Sequence, residues 1–297
     1  MNQARPINKT ALFIAAVMAI SIFTGCSKQI EEQPEETEST TVATEATTAP
    51  TTTTEATTTE PEPEPEPEML EKYVEYYEQN NDFVGWICIP TLTDSSGDPY
   101  IDYPVVQADD NTEYLELSFE RTKSSAGCIY ADYKVPITAT SHADNITLYG
   151  HIMANGTFFR HLLDYKDGVS VVQNNYVINF DTLWEKNEYV IVACFLIGIY
   201  EWQDSEPLFE YYKCRTFDTE EDYDYFYENI MYRSYYTSNI ECEYGDEFLT
   251  LSTCAYDFSD SRWVVVARKV REGEDISGYT YEKNSSRHKP DSVSYNY

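Results

Sequence analysis

The sequence has little positive charge. Only 20 of its 297 residues are Lys or Arg, against 52 Asp or Glu, so the formal net charge is −32. The acidity is not confined to one segment. Without the two N-terminal cations, and without the twelve Glu and one Lys of residues 27–68, the rest of the chain still carries −23. This charge argues against nucleic acid or an anionic lipid surface as a partner, because both would repel it.

The sequence also has no apolar run long enough to span a bilayer. The mostly apolar stretch over residues 11–24 is short of the roughly 20 residues that a spanning helix needs. It follows a positively charged start and ends in Thr-Gly-Cys, which is the layout of a secretory signal. The ending resembles a bacterial lipobox, although Phe23 stands where lipoboxes usually carry leucine. Residues 1–26 are therefore predicted to be a signal with Cys26 as the lipidation site, or else an uncleaved signal anchor. Both place the rest of the chain outside the cytoplasm.

Seven cysteines are present, but no Cys-x-x-Cys pair and no Cys/His cluster with the spacing of zinc ligands. Zinc is therefore not expected. The six cysteines after Cys26 allow three disulfides in an exported chain. Four of the six nevertheless lie in or beside apolar runs, where a free thiol behaves as a small hydrophobe. We expect Cys88, Cys128 and Cys194 to be core residues.

The composition divides the chain into segments. Residues 27–68 contain Thr runs and a Pro-Glu repeat with almost no large apolar side chains, which predicts a disordered linker. Residues 69–270 are enough for one domain with a sizeable core. Residues 271–297 are polar and rich in Tyr and Ser, and they are predicted to be a loose tail. No internal repeat is present.

The domain reads as many short strands with few helices. Apolar residues at three- and four-residue steps predict a helix over Met69–Asn80, and a second helix begins after Asp218 or Thr219 as N-cap. The predicted strands lie near Trp86–Ile89, Tyr103–Gln107, Gly127–Ala131, Asn145–Tyr149, Val177–Asn179, Glu188–Tyr200, Glu247–Ser252 and Trp263–Val270. This pattern predicts a mainly β fold with a closed or nearly closed barrel.

A cysteine and a histidine are candidates for nucleophilic chemistry. Cys254 ends a strand and precedes the polar loop 256–261, and a rigid strand end beside an open loop is well placed for attack. The alternatives for this thiol are a disulfide or a buried core position. His151 follows another predicted strand, and an imidazole can hold a thiol proton near neutral pH and later return it to a leaving amine. His142 and His161 are competitors for that role.

A third candidate is a cation at the start of the last strand. Arg262 directly precedes the run Trp-Val-Val-Val-Ala, and a fixed positive charge there could stabilise an oxyanion. The alternative is an ordinary charge at a strand edge, and Arg268 is a rival in the same strand.

Together these motifs resemble the sortases. Tyr-Gly-His at 149–151, Leu-Ser-Thr-Cys at 251–254 and Arg262 before the Trp-Val-Val-Val-Ala run occur in the sortase order. Further stretches are similar to class B: Val-Gly-Trp-Ile-Cys-Ile-Pro at 84–90, Ile-Asp-Tyr-Pro-Val-Val-Gln at 101–107, Gly-Thr-Phe-Phe at 156–159 and the acidic, aromatic helix after Asp218. The resemblance covers nearly all of residues 69–270.

The resemblance implies a fold, an activity and a set of site residues. The family fold is an eight-stranded β-barrel, and neither a metal nor a cofactor is implied. By resemblance, Cys254 attacks the Thr carbonyl of a Thr-Xaa bond in a sorting signal of the Pro-x-Thr type, His151 is the acid/base and Arg262 is the oxyanion or substrate-orienting cation. Pocket positions implied in the same way are Ser252 and Thr253 beside the nucleophile and, more remotely, Asn111 and Leu115. The acceptor would be an amine of a cell-wall precursor or a pilin, at the outer face of a Gram-positive-type membrane.

The sequence alone leaves alternatives open for the anchor and for the activity. Class B sortases are usually held by an uncleaved N-terminal helix, whereas this chain has a lipobox-like Cys26 and a long spacer. A cell-surface binding lipoprotein could keep such a barrel without turnover, and hydrolysis alone would result without an amine acceptor. An L,D-transpeptidase is disfavoured, because its histidine lies two residues before the cysteine, whereas the histidine that most closely precedes Cys254 is His161.

The type of anchor can be tested at Cys26. We expect metabolic labelling with a fatty-acid probe to mark the parent protein, and Cys26→Ala to block labelling and leave a longer precursor with altered membrane partition. An unlabelled parent of full precursor length would instead support the uncleaved helix.

Overall fold

The computed structural model describes residues 67–293. In chain order its helices and strands are α1 (Glu71–Gln79), β1 (Phe83–Cys88), β2 (Asp102–Val106), β3 (Ile129–Ala131), β4 (Asn145–Tyr149), α2 (Val169–Asn174), β5 (Val177–Thr182), β6 (Glu188–Ile197), α3 (Glu220–Arg233), β7 (Tyr236–Ser238), β8 (Phe248–Ala255), β9 (Ser261–Lys269) and β10 (Tyr281–Lys283). Short 3₁₀ helices lie at Glu113–Leu115, Phe159–Lys166, Glu201–Gln203 and Tyr211–Lys213. The predicted signal, Cys26 and nearly all of the predicted linker lie outside the described residues. Within them, no helix is long and apolar enough to cross a membrane.

Eight strands form a closed barrel in the order β1-β2-β3-β4-β8-β9-β6-β5. Two neighbouring pairs, β2 with β3 and β4 with β8, are parallel, and the others are antiparallel. Closure leaves no strand edge of the barrel unpaired. The mainly β fold with a closed barrel is therefore confirmed, and each of the eight predicted strands overlaps one barrel strand. The observed bounds differ from the predicted ones by at most three residues at either end, and β6, for example, ends at Ile197 rather than Tyr200.

The central strand β6 is buried along nearly its whole length. Its residues 189–197 are almost all apolar, and all nine are buried. One face of such a strand lies in the barrel interior, while α3 and β7 pack against the strand from outside. Cys194 on this strand is fully buried and Cys128 is also buried, whereas Cys88 is only half-buried, and all three are free thiols. Burial raises the pKa of the Cys128 thiol to about 12, so it has little nucleophilic thiolate.

Helix α3 begins where its acidic first turn predicts. The Thr219 side chain accepts a hydrogen bond from the Asp222 backbone N–H at 3.2 Å, and the Asp222 carboxylate accepts one from the Thr219 backbone N–H at 3.0 Å. This reciprocal capping satisfies two N–H groups that the helix start leaves without partners. The acidic side chains also lie favourably at the positive end of the helix dipole. On its inner face Phe226 and Ile230 are fully buried.

The segment from Arg271 to residue 293 is not a loose tail. β10 pairs with β7 in a small two-stranded sheet, and Tyr281 is buried with its hydroxyl donating to the Ile191 carbonyl at 2.5 Å. Glu274 pairs with Arg268 of β9, whose side chain is 0% exposed. A polar composition suggested a loose segment, but its tyrosines and acids are the groups that attach it to the barrel.

The Arg268–Glu274 pair makes stability depend on pH. Burial acts to raise the pKa of Glu274, but hydrogen bonds from Arg268 and Tyr279 outweigh it and lower the pKa from 4.5 to about 2. A carboxylate with a depressed pKa stabilises the fold above its unfolded pKa and loses that contribution as pH falls towards the folded value. The pair therefore contributes fully at pH 7 and weakens between pH 4.5 and 2.

We expect Glu274→Gln to lower the free energy of unfolding at pH 7 by about 3 kcal/mol, because it leaves the buried Arg268 charge uncompensated. The difference from the parent should shrink as the pH falls below 4.5. Urea unfolding at pH 7, 4.5 and 3 measures it, with Glu272→Gln, at an exposed neighbouring position, as the control. Equal losses in the two variants, or a difference that does not change with pH, would contradict this.

Candidate active site

At one rim of the barrel β4 and β8 end and β9 begins, and this brings the candidate residues together. In the antiparallel β8–β9 pair, Cys254 lies directly opposite Arg262. In the parallel β4–β8 pair, Tyr149 is in register with Ser252, and the same register continued by two residues brings His151 level with Cys254. Two hydrogen bonds hold this continuation: the Gly150 N–H donates to the Ser252 carbonyl at 3.3 Å, and the Thr253 hydroxyl donates to the Gly150 carbonyl at 2.7 Å.

The rival arginine lies at the other end of the same hairpin. A five-residue loop joins β8 to β9, and the register pairs Arg268 with Phe248, six residues away from Cys254 along β8. At about 3.3 Å per residue this is roughly 20 Å. Arg268 is moreover buried in its pair with Glu274. Arg262 is thus the arginine that the hairpin places beside the thiol.

His151 is fixed by its own hydrogen bond and by the glycine before it. Its Nε2 lies 3.1 Å from the carbonyl oxygen of Leu115. Because a carbonyl only accepts, this contact requires the proton on Nε2, and Nδ1 of the neutral ring then carries the lone pair. A Cβ at Gly150 would lie 2.7 Å from the ring of Phe159, so any larger residue would displace the segment that carries His151.

The two competing histidines have other partners. His142 lies 3.7 Å from a carboxylate oxygen of Glu247. The His161 ring bonds Asp164 at 2.7 Å and stacks on Tyr100, with ring centroids 3.5 Å apart. Neither is in register with Cys254.

The predicted pocket residues Ser252 and Thr253 are buried, and their hydroxyls have protein partners. The Ser252 hydroxyl lies 2.7 Å from the Tyr211 hydroxyl, while that of Thr253 binds Gly150. Burial raises the pKa of Tyr211, and the Ser252 hydrogen bond and the charge of Arg262 act in the opposite direction. Tyr211 is thus close enough to couple electrostatically to Arg262. No sequence motif pointed to Tyr211.

Asn111 and Leu115 lie in one loop segment whose polar groups are also engaged. The Asn111 amide donates to Asp132 at 3.0 Å and accepts from the backbone N–H of Tyr133 at 3.0 Å. Leu115 supplies the carbonyl that His151 binds. The segment that contains both residues runs past His151.

Asp132 is a second buried residue that the sequence analysis missed. It is 1% exposed, and its carboxylate accepts hydrogen bonds from Asn111, from the Tyr149 hydroxyl at 3.1 Å and from Arg215 Nε at 3.4 Å. A buried carboxylate needs several such donors to offset its lost hydration. The network ties the Asn111 loop to Tyr149, two residues before His151. The available signal in the sequence was an acid directly after the strand 129–131.

Five cysteines of the described residues, Cys88, Cys128, Cys194, Cys214 and Cys242, are free thiols. Attack by Cys254 requires its thiolate form. Within residues 67–293 no group of His, Cys, Asp or Glu side chains is arranged to hold a metal ion.

Comparison with known proteins finds one family. A sortase domain model matches residues 94–270. Sortase B of Staphylococcus aureus is 32% identical over 194 residues, covering 65% of this chain and 72% of that protein. Sortase B of Listeria monocytogenes is 28% identical over 195 residues, covering 64% and 71%. A solved Staphylococcus aureus sortase B–substrate complex has a TM-score of 0.58 at 28% identity, covering 69% of this chain and 87% of that one.

The chain therefore belongs to the sortase family and is a cysteine transpeptidase. Both curated relatives are sortase B, as is the protein in the substrate complex. The resemblance to class B drawn from the motifs is confirmed.

Proposed function

We propose that this chain cleaves a C-terminal sorting signal of secreted proteins after Thr, and transfers the released protein to an amine through an acyl-enzyme on Cys254. The observation that carries the proposal is the register at the barrel rim: Arg262 directly opposite Cys254 on one side, and His151 level with it on the other.

In the first half-reaction Nδ1 of His151 holds the proton of the Cys254 thiol, and the resulting thiolate attacks the Thr carbonyl carbon. The negative charge that develops on the carbonyl oxygen is stabilised by the Arg262 guanidinium. His151 gives a proton to the leaving amine as the C–N bond breaks, and a thioester remains on Cys254. The Nε2–H···O=C bond to Leu115 holds the ring, so Nδ1 is the nitrogen that carries this proton.

In the second half-reaction an amine attacks the thioester. His151 takes the proton of the incoming amine, the new amide bond forms and the Cys254 thiolate leaves. We propose a cell-wall precursor or a pilin lysine as the amine, and water when neither is available. The overall acidity of the chain favours a cationic acceptor, because opposite charges steer encounter.

Recognition of a Pro-x-Thr type signal is proposed for the groove beside these residues. Similarity to the sortase B–substrate complex supports a peptide substrate. Ser252 and Thr253 would form the floor of the groove beside the thiol, and Asn111 and Leu115 would shape its wall through their loop. Cys26 and residues 27–68 would hold the domain at the outer face of a Gram-positive-type membrane.

The nucleophile is tested by incubating the reduced protein with a peptide library and measuring cysteine adducts by mass spectrometry. Cys254→Ala should abolish adduct, cleavage and transfer, because among residues 67–293 no other thiol is in register with His151 and Arg262. Cys194→Ala is the matched control. It removes a fully buried thiol from β6 and should lower stability while the folded fraction keeps its activity. Acyl transfer by Cys254→Ala would exclude the mechanism, and a parent without any turnover would favour a binding protein.

The oxyanion role is tested at Arg262. We expect Arg262→Ala to reduce turnover by a factor of about 100 or more. Arg262→Lys should recover little, because a point charge lacks the planar fork of guanidinium. Arg268→Ala should stay within a few-fold per folded molecule. A larger loss of turnover in Arg268→Ala than in Arg262→Ala would reverse the assignment.

A further inference from the structure

The loop over residues 256–260 is held from two sides. It connects the strand of Cys254 to the strand of Arg262. On one side Lys166 pairs with Asp257. On the other, the Gln203 side-chain amide donates to the carbonyl of Ser259 at 2.6 Å. The second contact comes from a distant part of the chain and is made by a residue that is 0% exposed.

Gln203 is located next to the candidate site by strand register. β6 ends at Ile197, which pairs with Arg262 on the side away from Cys254. The chain reverses direction within the next six residues, so that Gln203 lies close to the backbone that directly follows β6. A Cβ at Gly198 would lie 2.5 Å from the Gln203 Oε1, so the turn can only close on a glycine.

The orientation of the Gln203 amide is set by its donors. Its Oε1 accepts hydrogen bonds from the backbone N–H of Ile199 at 2.7 Å and of Tyr200 at 2.8 Å. With the oxygen engaged by two donors, the NH₂ group must face the Ser259 carbonyl, which only accepts. The side chain therefore links the end of β6 to the loop in one defined geometry.

We propose that Gln203 is a positioning residue that fixes the 256–260 loop and, through it, the separation between the Cys254 thiol and the Arg262 guanidinium. Arg262 is the second residue after the loop, and its Nη1 donates to the carbonyl of Ser261, the first. A shift of the loop is thus passed to the guanidinium. The inference rests on the proposed function, since it concerns how that site is held.

The test replaces the amide by groups of similar size. In Gln203→Glu the carboxylate still accepts from the two N–H groups, but it cannot donate to Ser259 and repels its carbonyl. We expect kcat per folded molecule to fall roughly tenfold or more at neutral pH, because small misplacements at a reacting centre have large effects on rate. KM should change less than about threefold, because Gln203 is 0% exposed and cannot contact a bound substrate.

The pH dependence separates positioning from a general loss of structure. A protonated Glu regains a donor towards Ser259, so the ratio of Gln203→Glu to parent kcat should rise as pH is lowered. Taking this ratio removes any pH dependence that the variant and the parent share. Gln203→Met has no titrating group and should keep its deficit at every pH. Both variants retain the neighbouring Asp204–His288 pair, so any effect of that pair on kcat would appear in Gln203→Met as well.

Gln173 is a matched control elsewhere in the fold. Its amide donates to the Tyr279 carbonyl at 2.8 Å and accepts from the Tyr281 N–H at 3.0 Å, which joins α2 to β10. Tyr281 is attached to Ile191, which pairs with Ala267 near the far end of β9. Gln173→Glu should lower the unfolding midpoint without changing kcat or its pH profile.

The outcomes are distinct. A kcat deficit in Gln203→Glu alone, with recovery at low pH, supports the inference. Unchanged kcat, equal kcat losses in Gln203→Glu and Gln173→Glu, or a deficit independent of pH overturns it while the proposed function stands. A reduced parent that neither cleaves nor transfers overturns the proposed function and this inference with it.

Discussion

The pairing of β8 with β4 on one side and with β9 on the other is the contact on which the candidate site depends. Each strand contributes one functional residue at or just beyond its end, and none of the three would be near the others without both ladders in register. A slip of one residue would turn the side chains of β8 to the opposite face. Backbone hydrogen bonds between the strands therefore set the relative positions of the side chains at the rim.

Buried polar side chains reinforce this register from within. The Thr250 hydroxyl donates to Asn145 at 2.7 Å across the β4–β8 pair, and the Thr253 hydroxyl does the same to Gly150 at its end. Each bond contributes about 1 kcal/mol net, and losing one partner leaves a buried polar atom unsatisfied at a cost of about 1–3 kcal/mol. Apolar residues of similar size would fill the space equally well. The hydroxyls instead make every other strand register unfavourable. A site assembled from three strands requires such a single register.

Local pattern was enough to predict the parts of the fold that follow from neighbours in sequence. The strand Asn145–Tyr149 and the polar loop at 256–261 between two predicted strands were both foreseen, because apolar and polar runs in the local sequence mark them. Asp132 and Gln203 were missed, since their partners are dozens of residues away and nothing nearby marks a polar residue as buried. The attachment of Tyr281 was missed for a related reason: average polarity hides a single anchoring side chain. β7 and β10, at three residues each, are too short to show a period.

The parallel pairing of β4 with β8 also has a kinetic consequence. About a hundred residues, including α2, β5, β6 and α3, separate the two strands, so this ladder closes a very long loop. Contacts of such sequence separation form slowly, because the entropy of loop closure must be overcome before they contribute. Until then neither His151 nor Arg262 is held beside the cysteine. The candidate site is in this way assembled only on completion of folding, and an unfinished chain does not yet hold its three residues together.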